Sequence, residues 1–488
     1  MLLNKIKFAN IVIFNIKSDS FGAIIIGFKR VKLDCYLFKN KGFISSQKKL
    51  LLQYMNEFEL YPEIERRSLQ EILEFQFQKL KELLYYLQDN SPYYQQVFKE
   101  NNIDISSISS LKDLRKIPTT CKNDIQKSNE DFFCVSRDQI VDYSTTSGTL
   151  GDPVTFGLSD ADLERLAYNE AISFGCAGIK KGDVVQMITT IDKRFMAGLA
   201  YFLGLRKMGA SVVRMGPGVP ELQWDSILRY QPKYLITVPS FLLKMIDYAE
   251  KNNIDYQNSS VIAAVCIGES IKNQDFSDNI LSQKIKEKWD IQLYSTYAST
   301  EMSTAFTECE YQQGGHHHPE LIITEILDEN ENPVAEGESG ELVITTLGVE
   351  AIPLLRFKTG DLVKAHYDPC KCGRNTLRLG PVVGRKQQMI KYKGTTLYPP
   401  AMNDLLNDFK GVLCYQIVIK SNDIGLDEII IRISTDNDSE NFIKDIRDHF
   451  RAKLRVSPKI EVEEFENLMK EVMPQNSRKP INFVDLRR

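Results

Sequence analysis

Residues 144–152 read Ser144-Thr145-Thr146-Ser147-Gly148-Thr149-Leu150-Gly151-Asp152, so five of nine side chains carry a hydroxyl and two glycines stand three apart. A core strand is not built this way, because unpaired hydroxyls are costly to bury. Backbone amides freed by Gly148 and Gly151, together with the hydroxyls, suit an anion cradle in a turn between strands. Taken alone, the same composition also describes a plain Ser/Thr-rich loop. No Gly-Lys-Ser/Thr follows, which separates it from the Walker phosphate loop. A second constellation joins "ECEYQQGGHHHPE" to "DPCKCGR". Three thiolates from Cys309, Cys370 and Cys372, with an imidazole as fourth ligand, make a soft tetrahedral set suited to zinc. The "EC…GGH" frame favours His316 for that place, with His317 next. Four protein ligands leave no position for water, so the role is structural. Cys176 and Cys266 lie among apolar or small residues and read as core thiols.

Elements must carry these groups, and the chain is long enough for several. Its 488 residues exceed one compact core, and 43% hydrophobic with 26% charged residues describes an ordinary globular composition. A formal net charge of −4 offers no basic field for nucleic acid. No apolar run approaches the roughly 20 residues of a membrane span. Nine scattered cysteines without scaffold spacing fit a reducing compartment, so the expected location is cytoplasmic. Neither a Gly-x-Ser-x-Gly elbow nor a Gly-x-Gly-x-x-Gly fingerprint is present, which argues against hydrolase and dehydrogenase chemistry.

Residues 1–54 differ from the rest and are expected to be an appendage, or to derive from an upstream start codon ahead of Met55. From Ser68 to Leu87, apolar residues recur at three and four, predicting a helix. A short helix and another opened by Ser110 follow. Between about 160 and 345, helical patterns alternate with "DVVQMIT", "ASVVRMG", "YLITVP", "SVIAAVCIG" and "IQLYSTY". That alternation predicts α/β architecture with a largely parallel sheet. "GELVITTL" reads as an antiparallel strand. A change of pattern near Arg385 predicts a large domain over 55–385 and a small α+β domain over 386–488. The latter would use "YQIVIK", "EIIIRIS", a helix at 440–453 and "KIEVEEF".

The hydroxyl loop, "YASTE" (297–301), "GELVITTLGVEAIPLLRFKTGDLV" (340–363), "GRKQQMIKYKG" (384–394) and "SRKPINFVDLRR" occur in an order that resembles the adenylate-forming superfamily. Within it, residues 65–488 are similar to the phenylacetate–CoA ligases. The resemblance implies a large α/β domain with a small mobile C-terminal domain. It implies that Ser144, Thr145, Thr146, Ser147, Gly148, Thr149 and Gly151 wrap the ATP phosphates, although Asp152 stands where lysine is usual. Tyr297 would stack on adenine, which the Gly268-Glu269-Ser270 turn would line, with Ser270 in place of the usual proline. Thr300 would contact the α-phosphate, and Glu301, a hard oxygen donor, would hold Mg²⁺. Asp361 would accept both ribose hydroxyls, and Arg385 would stand near ribose and phosphate at a hinge where Gln387 replaces aspartate. Lys479 matches the catalytic lysine of the small domain, with Arg478 in place of a small residue, and Lys122 would reach the phosphates.

The implied activity is ATP-dependent activation of an aromatic or arylalkyl carboxylic acid, then transfer from the acyl-adenylate to coenzyme A. Phe241, in "ITVPSFLLKM", would wall the acid pocket, and Gly394 would admit the pantetheine arm. Some relatives carry a Cys…His…Cys-x-Cys arrangement, so structural zinc fits the same frame. The acid, ATP and coenzyme A would be the small-molecule partners, and a homodimer is known among relatives. Two alternatives stay open: loading of an acyl carrier protein, and a non-catalytic nucleotide-binding relative, for which Asp152, Gln387 and Arg478 speak.

Overall fold

The computed structural model describes residues 62–146, 154–392, 395–421, 427–474 and 480–487, together with three N-terminal strands. The chain divides into two compact units, Met1–Phe58 and Glu59–Arg488. The first holds an antiparallel sheet of β1 (Lys5–Phe8), β2 (Ile11–Asn15) and β3 (Ile24–Ile26) in that order.

The second unit opens with α1 (Leu69–Asn90) and α2 (Pro92–Glu100). Ser68 caps α1 in a reciprocal box with Glu71, satisfying amides that the first turn leaves unpaired. Ile72, Leu80, Leu83, Leu84 and Leu87 then fall on one buried face. The segment opened by Ser110 is a 3-10 helix, Leu111–Lys116, rather than a full α-helix. Pro118 disfavours the α conformation at Ile117, which stops propagation after two turns. A further short helix, α3 (Lys122–Lys127), precedes the hairpin of β4 (Ile140–Thr145) and β5 (Thr155–Ser159).

Next comes the α/β layer: α4 (Asp160–Cys176), β6 (Val184–Met187), α5 (Met196–Met208), β7 (Ser211–Arg214), α6 (Pro220–Tyr230), β8 (Tyr234–Thr237), α7 (Pro239–Lys251), β9 (Ala263–Cys266), α8 (Ile280–Lys288), β10 (Gln292–Ser299) and β11 (Thr304–Thr307). The strand order is β11-β10-β9-β8-β6-β7, parallel throughout except where β11 returns antiparallel to β10. The four residues of β8 and of β9 are buried, as expected where helices cover both faces. On one flank Trp224 and Trp289, each 1% exposed, lie 5.3 Å apart beside Tyr256, and Trp224 Nε1 donates to the Met245 carbonyl.

A second, antiparallel sheet runs β12 (Gly315–His316), β16 (Arg378–Leu379), β15 (Phe357–His366), β14 (Ser339–Thr346) and β13 (Ile322–Leu327), with β17 (Gly384–Arg385) paired to β15. Its inner face shares a core with α1, α2 and the β4–β5 hairpin. The remaining elements are β18 (Ile390–Tyr392), β19 (Thr395–Leu397), α9 (Pro399–Asp408), β20 (Val412–Ser421), β21 (Asp427–Thr435), α10 (Glu440–Leu454), β22 (Lys459–Val462), α11 (Phe465–Val472) and β23 (Phe483–Asp485). Four of these strands form a mixed sheet in the order β22-β21-β20-β23. The boundary expected near Arg385 lies inside the second unit, and beyond it Ile390, Met402, Ile417, Ile431, Ile446 and Phe450 belong to a separate hydrophobic core. No described helix is long and apolar enough to cross a membrane.

Candidate active site

In a parallel sheet, ligands collect outside the carboxyl ends of the strands, where the chain leaves the layer. Here β8, β9 and β10 are adjacent and parallel, so their C-terminal exits share one edge. The exit of β8 carries Phe241, that of β9 carries Gly268, Glu269 and Ser270, and β10 carries Tyr297 and leads into Thr300 and Glu301. Gly268 adopts φ +77°, a conformation that side chains disfavour. Phe241 is half-buried against the Trp224 core.

Tyr297, Asp361 and Arg385 come from three elements and meet directly. Asp361 and Arg385 are cross-strand partners on β15 and β17. Tyr297 donates its hydroxyl to Asp361 Oδ2 at 2.8 Å, and Arg385 Nε donates to Oδ1 at 3.2 Å. Burial, then the adjacent carboxylate, pushes the Tyr297 phenol well above its ordinary range, so it stays a donor. Each carboxylate oxygen accepts more than one hydrogen bond, which leaves acceptor capacity for a vicinal diol. Asp361 is 8% exposed, and Arg385 is mostly exposed beside it.

Glu301 lies in the turn after β10, its carboxylate 3.8 Å from the Lys122 ammonium at the start of α3. That turn is held by Arg165, a residue not singled out in the sequence. Its guanidinium is buried and donates to the carbonyls of Ser303, Leu321 and Leu347, all at 2.6 Å. Ser303 takes φ +47° under this constraint.

Of the hydroxyl loop, Ser144 and Thr145 end β4, and Thr146 closes the hairpin. Thr146 N donates to the Val154 carbonyl at 3.1 Å, and the Thr146 hydroxyl accepts from Val154 N at 3.2 Å. Ser144 is 1% exposed, so these two residues shape the hairpin. Ser147, Gly148, Thr149, Gly151 and Asp152 lie outside the described residues, as do Gly394, Arg478 and Lys479. Glu269 is engaged locally: its two carboxylate oxygens accept from Ser240 N and Ser240 Oγ, each at 2.9 Å.

Cys309, His316, Cys370 and Cys372 converge, their ligand atoms all within 4.8 Å of one another. Cys309 Sγ is 3.6 Å from Cys370 Sγ, and Cys372 Sγ is 3.5 Å from His316 Nε2. Zinc–sulfur bonds of about 2.3 Å in a tetrahedron give edges of roughly 3.8 Å, so the four atoms fit one ion. The backbone is shaped for it. A Cβ on Gly315 would lie 2.4 Å from the Phe306 carbonyl oxygen, which explains how β12 passes so close to β11. The Cys309 hydrogen bond, with His316 and Arg374 adding to it, holds the Cys372 thiol far below its usual range. Burial depresses His316, favouring the neutral imidazole that ligates metal. His317 is engaged elsewhere, its Nε2 2.6 Å from the Ile322 carbonyl.

Behind the cluster lies a buried chain of polar groups. Arg374 Nη1 donates to Cys372 Sγ at 3.5 Å, and its Nε donates to Glu65 Oε2 at 2.6 Å. Glu65 also meets His318 Nδ1, and His318 Nε2 lies 3.2 Å from Ser173 Oγ. Burial alone would raise the Glu65 carboxyl, but His318 and Arg374 outweigh it and leave it below the usual range. Such outer partners orient ligands.

Comparison with known proteins agrees in kind. A family model described as AMP-binding enzyme matches residues 82–350. The phenylacetate-coenzyme A ligase of Thermus thermophilus is 30% identical over 401 residues, covering 81% of this chain and 86% of that protein. A protein of the same description from Escherichia coli is 27% identical, covering 71% of this chain and 78% of its own. Among solved structures, 2-hydroxyisobutyryl-CoA ligase in the postadenylation state superposes with a TM-score of 0.75 at 23% identity, over 88% of this chain and 93% of the other. That likeness establishes the fold.

Proposed function

Because the chain belongs to the AMP-binding enzyme family, and within it to the phenylacetate–CoA ligases, we propose that it activates a carboxylic acid with ATP and passes the acyl group to coenzyme A. The carboxylate oxygen attacks the α-phosphorus, pyrophosphate leaves, and a mixed anhydride with AMP forms. The coenzyme A thiol, losing its proton, then attacks the acyl carbon. AMP departs with the electron pair of the broken acyl–oxygen bond, leaving a thioester. The observation that carries this reading is the meeting of Tyr297, Asp361 and Arg385 at the carboxyl edge of the parallel sheet.

In this reading Asp361 accepts the ribose hydroxyls, Tyr297 offers its ring face to adenine, and Arg385 stands over the ribose–phosphate junction. Ser144 and Thr146 are engaged in the hairpin, so residues 147–151 surround the β- and γ-phosphates, with Lys122 approaching from α3. Attack of an anion on a triphosphate is opposed by charge, and Lys479 offsets the charge that develops at the α-phosphate. Magnesium suits the Glu301 carboxylate and would neutralise phosphate charge there. Zinc suits the Cys309, His316, Cys370 and Cys372 set and would tie the 309–316 and 370–374 loops together. Residues 386–488 act as a cap that turns about Arg385–Gln387, withdrawing Lys479 and presenting Gly394 to the thiol channel. Kinship and the half-buried Phe241 favour an aromatic or arylalkyl acid.

The test is an AMP-release screen across aryl, arylalkyl and fatty acids, with and without coenzyme A. Acid-dependent AMP and thioester formation are expected, strongest with arylalkyl acids. Pyrophosphate exchange without a coenzyme A thioester would move the acceptor to a carrier protein. Nucleotide binding with no AMP from any acid would remove the catalytic reading.

A further inference from the structure

The helix α7 begins without a cap of its own. Its N-cap position is Val238, whose side chain cannot accept a hydrogen bond, and Pro239 occupies the first helical position. Amides of a helical first turn need acceptors, and a negative charge there is favoured by the helix dipole. Both are supplied from 29 residues downstream, by Glu269 accepting from Ser240 N and Ser240 Oγ at 2.9 Å each. The two segments are neighbours because β8 and β9 are adjacent parallel strands, tied at their exits by Ile267 N donating to the Thr237 carbonyl at 3.0 Å. Gly268, at φ +77°, turns the chain immediately before the carboxylate.

We propose that Glu269 is a positioning residue that caps α7 from the neighbouring loop and thereby couples the nucleotide turn to the acid-pocket segment. This rests on the reading above, in which residues 268–270 line adenosine and Phe241 walls the acid pocket. Phe241 directly follows the capped Ser240, so a nucleotide that steadies the 268–270 turn also steadies the start of α7. The two substrates then favour one another through a single carboxylate, without touching it. The residue's side chain faces the helix.

Hydrogen exchange of the full chain, with and without MgATP, tests this. Residues 292–301 report nucleotide binding, and residues 238–245 report the coupling. In the wild type MgATP is expected to slow exchange in both segments. In Glu269→Ala the slowing over 292–301 remains, while that over 238–245 falls about fivefold, the worth of a lost cap. Glu269→Gln keeps one acceptor and is expected to restore part of the response; it serves as the test should the alanine variant not fold. With an acid identified by the AMP screen, Glu269→Ala raises the KM for that acid about fivefold. Full nucleotide-dependent protection of 238–245 in both variants overturns the proposal. Absence of any MgATP response over 292–301 in the wild type overturns the nucleotide site, and the coupling with it.

Discussion

Asp361 serves two protein partners and, in the proposed mechanism, a ribose as well. Asp361→Asn keeps its shape but replaces one acceptor by a donor and removes the charge that faces Arg385. Hydrogen bonds to charged groups contribute about 1.5–3 kcal/mol, so the KM for ATP should rise about 10- to 100-fold in steady-state assays. An unchanged KM would place the ribose elsewhere. Cys372 sits between His316 and Arg374, and Cys372→Ser should leave purified protein with well under one equivalent of zinc by elemental analysis. A full equivalent in that variant would break the proposed ligand set. That Tyr297, Asp361 and Arg385 stand together was expected from the family resemblance, and the convergence of Cys309, His316, Cys370 and Cys372 from the ligand chemistry of their two short motifs. Glu65 and Arg374 were not legible: 309 positions separate them, and neither stretch signals that folding will bury them together. Arg165 was hidden for the same reason. A buried arginine donating to three carbonyls from separate segments has no local pattern.

Among the elements, α4 and α5 pack closely enough that a Cβ on Gly204 would lie 2.4 Å from Glu170 Cβ. Glu170 is 5% exposed and accepts from Asn169 Nδ2 at 3.0 Å. Burial pushes its carboxyl from an ordinary 4.5 up to about 8. The folded chain therefore keeps a proton that the unfolded chain releases, so stability falls as pH rises from about 4.5 through about 8. Glu170→Gln cannot titrate and should gain on the wild type by a few kcal/mol, about 1.4 per pH unit, between pH 5 and 8. Urea unfolding at several pH values reads this directly, and a constant difference would contradict it. Periodicity marked α1 and the strands of the parallel sheet, of which β8 and β9 are buried at every position because both faces are covered. The helix expected to open at Ser110 is present as a 3-10 helix, Leu111–Lys116. Periodicity was silent on the trans-cap of α7, since Val238 and Glu269 meet only through the pairing of two strands.

At the scale of the whole molecule, the last hundred residues have a core of their own, and contacts with the body fix where that core sits. Lys284 of α8 donates to the Asn407 carbonyl of α9, and burial lowers its pKa. If the cap turns between half-reactions, this contact belongs to one arrangement. Lys284→Ala should then alter adenylate formation and thioester formation from supplied acyl-adenylate unequally, by about fivefold for one hydrogen bond. Equal effects on both would argue that the contact is kept throughout. The paired indoles of the parallel layer add an optical consequence. The chain has two tryptophans in all, Trp224 and Trp289, and both lie in that one core. Emission excited at the red edge therefore follows the melting of this layer alone. Loosening of residues 386–488 leaves it unchanged and shows only in calorimetry, so the temperature gap between the two traces measures how independently the halves come apart.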